Sequence, residues 1–105
     1  MQRSRSLVAM VMGDEQQAGL LLRLYVAGRA PNSLRAIANV TAICREHFAS
    51  SHDLEVVDLL EYPQRALDDG VLVTPTLLKL VPLPVQRVIG DLSDTSQLLL
   101  ILSHP

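Results

Sequence analysis

The chain has 105 residues, a formal net charge of −2 and a single cysteine, a size that suits one domain able to bury roughly two-thirds of its unfolded surface without covalent staples. Cys44 standing alone excludes an internal disulfide and a cysteine-based zinc cluster, and fits the reducing cytoplasm; interspersed charge excludes a strong electrostatic draw to nucleic acid or an anionic membrane. Hydrophobic residues make up 49% of the chain and aromatics only 3%, so the expected core is aliphatic and stacking platforms for bases are excluded.

At the N-terminus, Arg3 and Arg5 precede the short apolar run Ser6–Met12, a pattern that superficially suits a signal peptide. Gly13-Asp14-Glu15 then brings acid, and no small-residue cleavage site follows. Residues 1–19 are therefore expected to be a flexible extension to a single domain over residues 20–105. No stretch is long enough to span a membrane.

Leu20–Val26 is an apolar run ending at Ala27-Gly28, the pattern of a central, buried strand. Pro31 biases Ala30 toward extended geometry, and Asn32 or Ser33 is expected to cap the following helix. In that helix Leu34, Ile37, Thr41, Cys44 and Phe48 recur at steps of three and four and form the expected core stripe, with Arg35, Asn39, Arg45 and Glu46 opposite. Leu54–Leu59 has the length and branching of a second strand, joined to the first by a parallel crossover. A helix of about two turns is expected between Glu61 and Gly70, with Pro63 near its start and Gly70 at its C-terminal end.

Val71–Val81 and Val85–Ile89 flank a Pro-Leu-Pro turn and predict a hairpin. Pro75 falls inside the first of these runs; because proline cannot donate to a ladder, it implies either an edge strand or a cis peptide. Gly90-Asp91 ends the hairpin, and Ser93 is expected to cap a last helix whose apolar part is Leu98–Leu102. The order βαβαββα is that of the α/β, thioredoxin-like fold, in which a cis-proline precedes the third strand.

The redox chemistry of that fold needs a low-pKa thiolate at the start of the first helix, and Gly28–Asn32 contains no cysteine. Cys44 lies in mid-helix on the apolar stripe, where a buried structural thiol is the expected role. His47, His52 and His104 lack the close pair spacing of a zinc enzyme, and neither a phosphate-binding glycine loop nor a serine-centred elbow is present. Residue chemistry alone thus leads to a non-catalytic α/β domain with no cofactor and no metal.

Leu22–Gly28, Pro31–Ala36, Val56–Leu59, Pro63-Gln64, Leu72–Leu77, Pro84-Val85 and Arg87–Ser93 together resemble the KaiB circadian-clock family across residues 20–97. The resemblance implies a non-enzymatic protein that binds the KaiC-type ATPase and modulates its phosphorylation and ATPase cycle. It also implies two folds: a resting homotetramer of order βαββααβ, with a differently folded C-terminal half, and a thioredoxin-like monomer competent to bind KaiC. Arg23, Arg35 and Arg87 are the expected partner-binding residues, and Pro75, Gly90 and Asp91 the expected determinants of the fold. Gly70, Glu55 and Gln86 stand where the clock members usually carry basic residues, which thins the positive surface. Leu100 and Leu102 stand where those members often have Gly and Asp. Two further functions fit the topology, the input domain of a clock-linked histidine kinase and a thiol-disulfide enzyme; the absence of a kinase segment and of a thiol motif weighs against them.

Overall fold

The computed structural model describes residues 19–103, so the expected extension over residues 1–19 lies outside the described residues apart from Gly19. Seven elements follow in order: β1 (Leu20–Val26), α1 (Pro31–His47), β2 (His52–Asp58), α2 (Gln64–Asp69), β3 (Thr76–Val81), β4 (Gln86–Ile89) and α3 (Thr95–Ser103). This is the expected βαβαββα order. The strands form one sheet, β2-β1-β3-β4, in which β2 runs parallel to β1 while β3 and β4 are antiparallel to their neighbours.

Side-chain alternation along β1 divides the core. Leu20, Leu22, Leu24 and Val26 face one side, where they meet Ala36, Val40, Ile43 and Cys44 of α1, Leu77 of β3, and Leu98 and Leu102 of α3. Leu22 and Leu24 are wholly buried, each worth about 1.5–3 kcal/mol in apolar transfer. Lys79 follows Leu77 by two residues, so it shares this face; it is buried, and its ammonium donates to the carbonyl of Pro82 in the β3–β4 turn. The opposite face carries a smaller apolar cluster of Tyr25, Val57, Val71 and Leu78.

Five expectations are corrected. The core stripe of α1 runs through Ser33, Ala36, Val40, Ile43 and Cys44, leaving Leu34 exposed, because small residues at the start of the helix allow close approach to the sheet. Neither Asn32 nor Ser33 caps α1: Pro31 occupies the first turn, and the Ser33 hydroxyl accepts from the Ala27 amide instead. The cap of α3 is Asp94, whose carboxylate accepts from the Gln97 amide, rather than Ser93. The strand expected over Val71–Val81 begins only at Thr76, so Pro75 precedes it; of the two readings of that proline the cis peptide holds, at Thr74–Pro75. The strand β2 also starts earlier than expected, at His52, because His52 and Asp53 pair with Leu20 and Leu21.

Candidate partner interface

The turn from β1 into α1 is held by side-chain acceptors. Gly28 adopts φ +55, a left-handed conformation that favours glycine, and its amide donates to Asp58 Oδ1 at 2.9 Å. The same oxygen accepts from the Leu60 amide at 2.9 Å, so one carboxylate at the end of β2 organises both loops at this edge of the sheet. Where thioredoxin chemistry would need a thiolate, the loop presents Arg29, Ala30 and Pro31. Cys44 is fully buried, and loss of solvation pushes its thiol pKa up, away from the reactive thiolate. Among the described residues no group of three metal-ligating side chains gathers.

Strand alternation brings Arg23 and Tyr25 to the sheet face opposite α1, beside Glu55 of the neighbouring strand. Arg23 Nε donates to Glu55 Oε1 at 2.6 Å, and its Nη1 lies 3.9 Å from Asp69 Oδ2 on α2. Asp69 Oδ2 also accepts from the Tyr25 hydroxyl at 2.5 Å and from Arg65 Nε at 3.4 Å, while Arg65 Nη1 sits 3.8 Å from Glu55 Oε2. Two cations, two anions and a phenol thus form one closed cluster. The Tyr25 hydroxyl bond, then those of Arg65, hold the Asp69 carboxyl below its usual range against the opposing effect of burial. Burial and the bond to Asp69 push the Tyr25 phenol up.

Arg35 lies elsewhere. It projects from α1 on the other side of the molecule, where its Nε donates to Asp91 Oδ2 at 3.3 Å and its Nη2 bonds Asn32 Oδ1. The Asn39 amide nitrogen donates to the Asp91 carbonyl at 2.8 Å, and Asp91 Oδ1 accepts from the Ser93 amide at 3.0 Å. Asp91 therefore ties the β4–α3 junction to α1. That junction is a conformationally demanding one, with Gly90 at φ +118 and Leu92 at φ +64. Leu92 is held there by burial in the main core.

Arg87 sits in the same sheet row as Arg23, with Leu78 between them, and its Nη1 donates to the Gly70 carbonyl at 3.1 Å. Gly70 closes α2 at φ +69. Nearby, Thr76 Oγ1 donates to the Val73 carbonyl at 2.6 Å and the Gly90 amide to the Pro75 carbonyl at 3.0 Å, which stitches the loop before β3 to the end of β4. Pro75 itself is buried. Leu67, Leu72, Val73 and Ile89, on α2, on this loop and at the end of β4, are exposed, Leu72 at 93%.

Of the three arginines expected to meet a partner, Arg23 and Arg87 therefore share one face and Arg35 does not, and each already bonds an acceptor within the chain. Pro75, Gly90 and Asp91 do come together, at the junction of β3, β4 and α3. Sequence reasoning missed Arg65 and Asp69. The signal was present in their i, i+4 spacing and in the parity of Arg23, Tyr25, Glu55 and Val57 along their strands. It also missed the exposure of Leu72 and Val73, which it had absorbed into a strand.

A family description, the KaiB domain, matches residues 23–104. The circadian clock protein KaiB3 of Synechocystis sp. is 47% identical over 81 residues, 77% of this chain and 79% of that protein. The circadian clock oscillator protein KaiB of Synechococcus elongatus is 49% identical over 80 residues, 76% of this chain and 78% of the relative. Among solved structures, the N-terminal domain of Synechococcus elongatus SasA is similar at a TM-score of 0.62 with 26% identity, covering 83% of this chain and 89% of that one. The germline-specific thioredoxin Deadhead of Drosophila melanogaster reaches 0.66 at 14% identity, covering 92% and 91%, and shares the fold alone.

Proposed function

This chain belongs to the KaiB family of clock proteins, and from that premise we propose that it is a non-catalytic binding protein that docks on a KaiC-type ATPase and modulates its phosphorylation and ATPase cycle. The observation that carries the proposal is the thioredoxin-like topology with its reactive position replaced: Gly28–Asn32 has no thiol, Cys44 is buried, and the conspicuous surface is instead Leu67, Leu72, Val73 and Ile89 beside Arg87. Apolar side chains rimmed by polar ones mark an interaction surface rather than a reaction centre. Membership of the family also supports passage between this thioredoxin-like form and a tetrameric resting arrangement of order βαββααβ. Arg23, Arg35 and Arg87 are the proposed partner contacts, and Pro75, Gly90 and Asp91 the proposed hinge of the exchange.

Size-exclusion chromatography of the purified chain with the KaiC-type ATPases of the same cell, with and without nucleotide, tests the docking. A shared peak is expected; no complex with any of them under any nucleotide condition overturns it. A second reading keeps the binding role without the exchange, as an interaction domain that stays thioredoxin-like, and is favoured by the burial of Leu98 and Leu102 in the main core of this arrangement. Light scattering discriminates the two: a tetramer in the absence of partner supports exchange, and a monomer at all concentrations supports the second.

A further inference from the structure

The helix α2 is six residues long and buries none of them. An isolated helix of that length does not persist in water, and apolar packing supplies most helical stability in proteins, so something else must hold α2 in place. The polar contacts supply it. Asp69 receives the Tyr25 hydroxyl and lies near Arg23, both on β1; Arg65 reaches Glu55 on β2; and Arg87 on β4 holds the Gly70 carbonyl at the end of the helix. Three strands thus grip α2 by hydrogen bonds and ion pairs. What lies beneath its C-terminal end is apolar: Tyr25, Val57, Val71 and Leu78.

We propose that α2 is a flap fastened to the sheet by the Arg23–Glu55–Arg65–Asp69 cluster and released, independently of global unfolding, when ionic strength rises or the cluster loses a charge. The ion pairs run from 2.6 to 3.9 Å between side chains that are 23–49% exposed, so mobile ions reach them. The sheet core beneath β1 is aliphatic and wholly buried, and salt does not weaken it in this way. Release would part α2 from the second apolar cluster, to which Asp69 joins it through the Tyr25 hydroxyl. The inference stands apart from the identity of any partner.

Native-state amide exchange by NMR tests it on the full chain. The Gly70 and Val71 amides donate to the Ala66 carbonyl and report on α2, while the Leu24 amide in the central strand reports on global opening. In Asp69→Asn and in Arg65→Gln, protection at Gly70 and Val71 is expected to fall about tenfold, with Leu24 changed less than about twofold. Raising sodium chloride from about 0.05 to about 1 M on the unmodified chain is expected to act in the same direction, because the screening length contracts below the span of the cluster. Unchanged protection at Gly70 and Val71 in both variants overturns the proposal. An equal fall at all three amides also overturns it, since the cluster would then serve global stability only. Should either variant fail to fold, the salt series on the unmodified chain decides by the same two criteria.

Discussion

Replacing Leu100 by Gly and Leu102 by Asp tests the packing of α3, because these two positions are opposite in kind. Leu102 is 2% exposed and joins the main core, whereas Leu100 is 60% exposed on the outer face. At Leu100 the change removes helix propensity alone, about 1 kcal/mol. At Leu102 it removes a buried leucine and introduces a carboxyl that must stay dry or pull the helix end into water. A leucine truncation in a core costs about 2–5 kcal/mol, and since the last turn of α3 can fray, about 3 kcal/mol is the expected value. The two act on different faces, so about 4 kcal/mol is expected for the pair, against a total of about 5–15 kcal/mol for a domain of this kind. With a urea slope of about 1.3 kcal/mol per M, the unfolding midpoint falls by about 3 M. Circular dichroism at graded urea measures it, with Leu100→Asp as the surface control. A shift below about 0.5 M for Leu102→Asp alone would refute the placement of that side chain in the core.

Tyr25→Phe deletes the hydroxyl that Asp69 accepts and is expected to lower stability by about 1–2 kcal/mol, read from the urea midpoint. Gly70→Lys adds a cation at an open position with nothing within 4 Å of a new side chain, but at φ +69; a loss of about 1 kcal/mol in stability together with tighter association with the proposed KaiC-type partner is expected in paired unfolding and titration experiments. Cys44 is expected to react with a thiol-specific dye on the order of a hundredfold more slowly in the folded chain than in urea, and a comparable rate in both would show the helix face to be open. Acid should weaken the fold through Asp69, which faces Tyr25 and Arg23 from β1 and Arg65 on its own helix, with Glu55 of β2 and Arg87 of β4 close by. Its carboxyl is held below its unfolded value, so its contribution is intact above about pH 4 and is lost as pH falls through the depressed folded value; a flatter acid limb in Asp69→Asn is the expected result.

Much of the fold was legible because the punctuation was strong. Leu20–Val26 stops at Ala27-Gly28, and the strand ends there too, since Gly28 takes a left-handed conformation. Gly70 marks the end of α2 for the same reason. The stripe of α1 was misread because size was taken as a proxy for burial. Ser33 and Ala36 are the residues that let the helix meet the sheet, while Leu34, the larger side chain, turns outward. The cluster around Asp69 was less accessible still. It joins residues separated by up to 46 positions, and only the parallel register of β1 and β2 sets Arg23 opposite Glu55. Val71–Thr74 reads as strand on composition, yet only Val71 is buried along its apolar run, and the chain enters the ladder after Pro75.

The internal bonding of all three arginines bears on how such a surface can serve a partner. Arg23 meets Glu55 at 2.6 Å, but both side chains are partly in water, where such a pair contributes only about 0–1 kcal/mol. A partner carboxylate can therefore take Glu55's place at little cost, and the intramolecular pair acts meanwhile as a support that keeps the guanidinium extended. Glu55 nonetheless lowers the net positive charge that a distant partner senses, and long-range attraction governs the rate of encounter more than the strength of the final complex. The exposed apolar residues respond differently. Leu67, Leu72, Val73 and Ile89 gain from association in proportion to the area they bury, whatever the salt. With Glu55 and Asp69 answering Arg23 and Arg65, and Leu67, Leu72, Val73 and Ile89 exposed, the proposed association is expected to depend more on apolar contact than on electrostatic steering, and its affinity to vary less with ionic strength than that of Gly70→Lys.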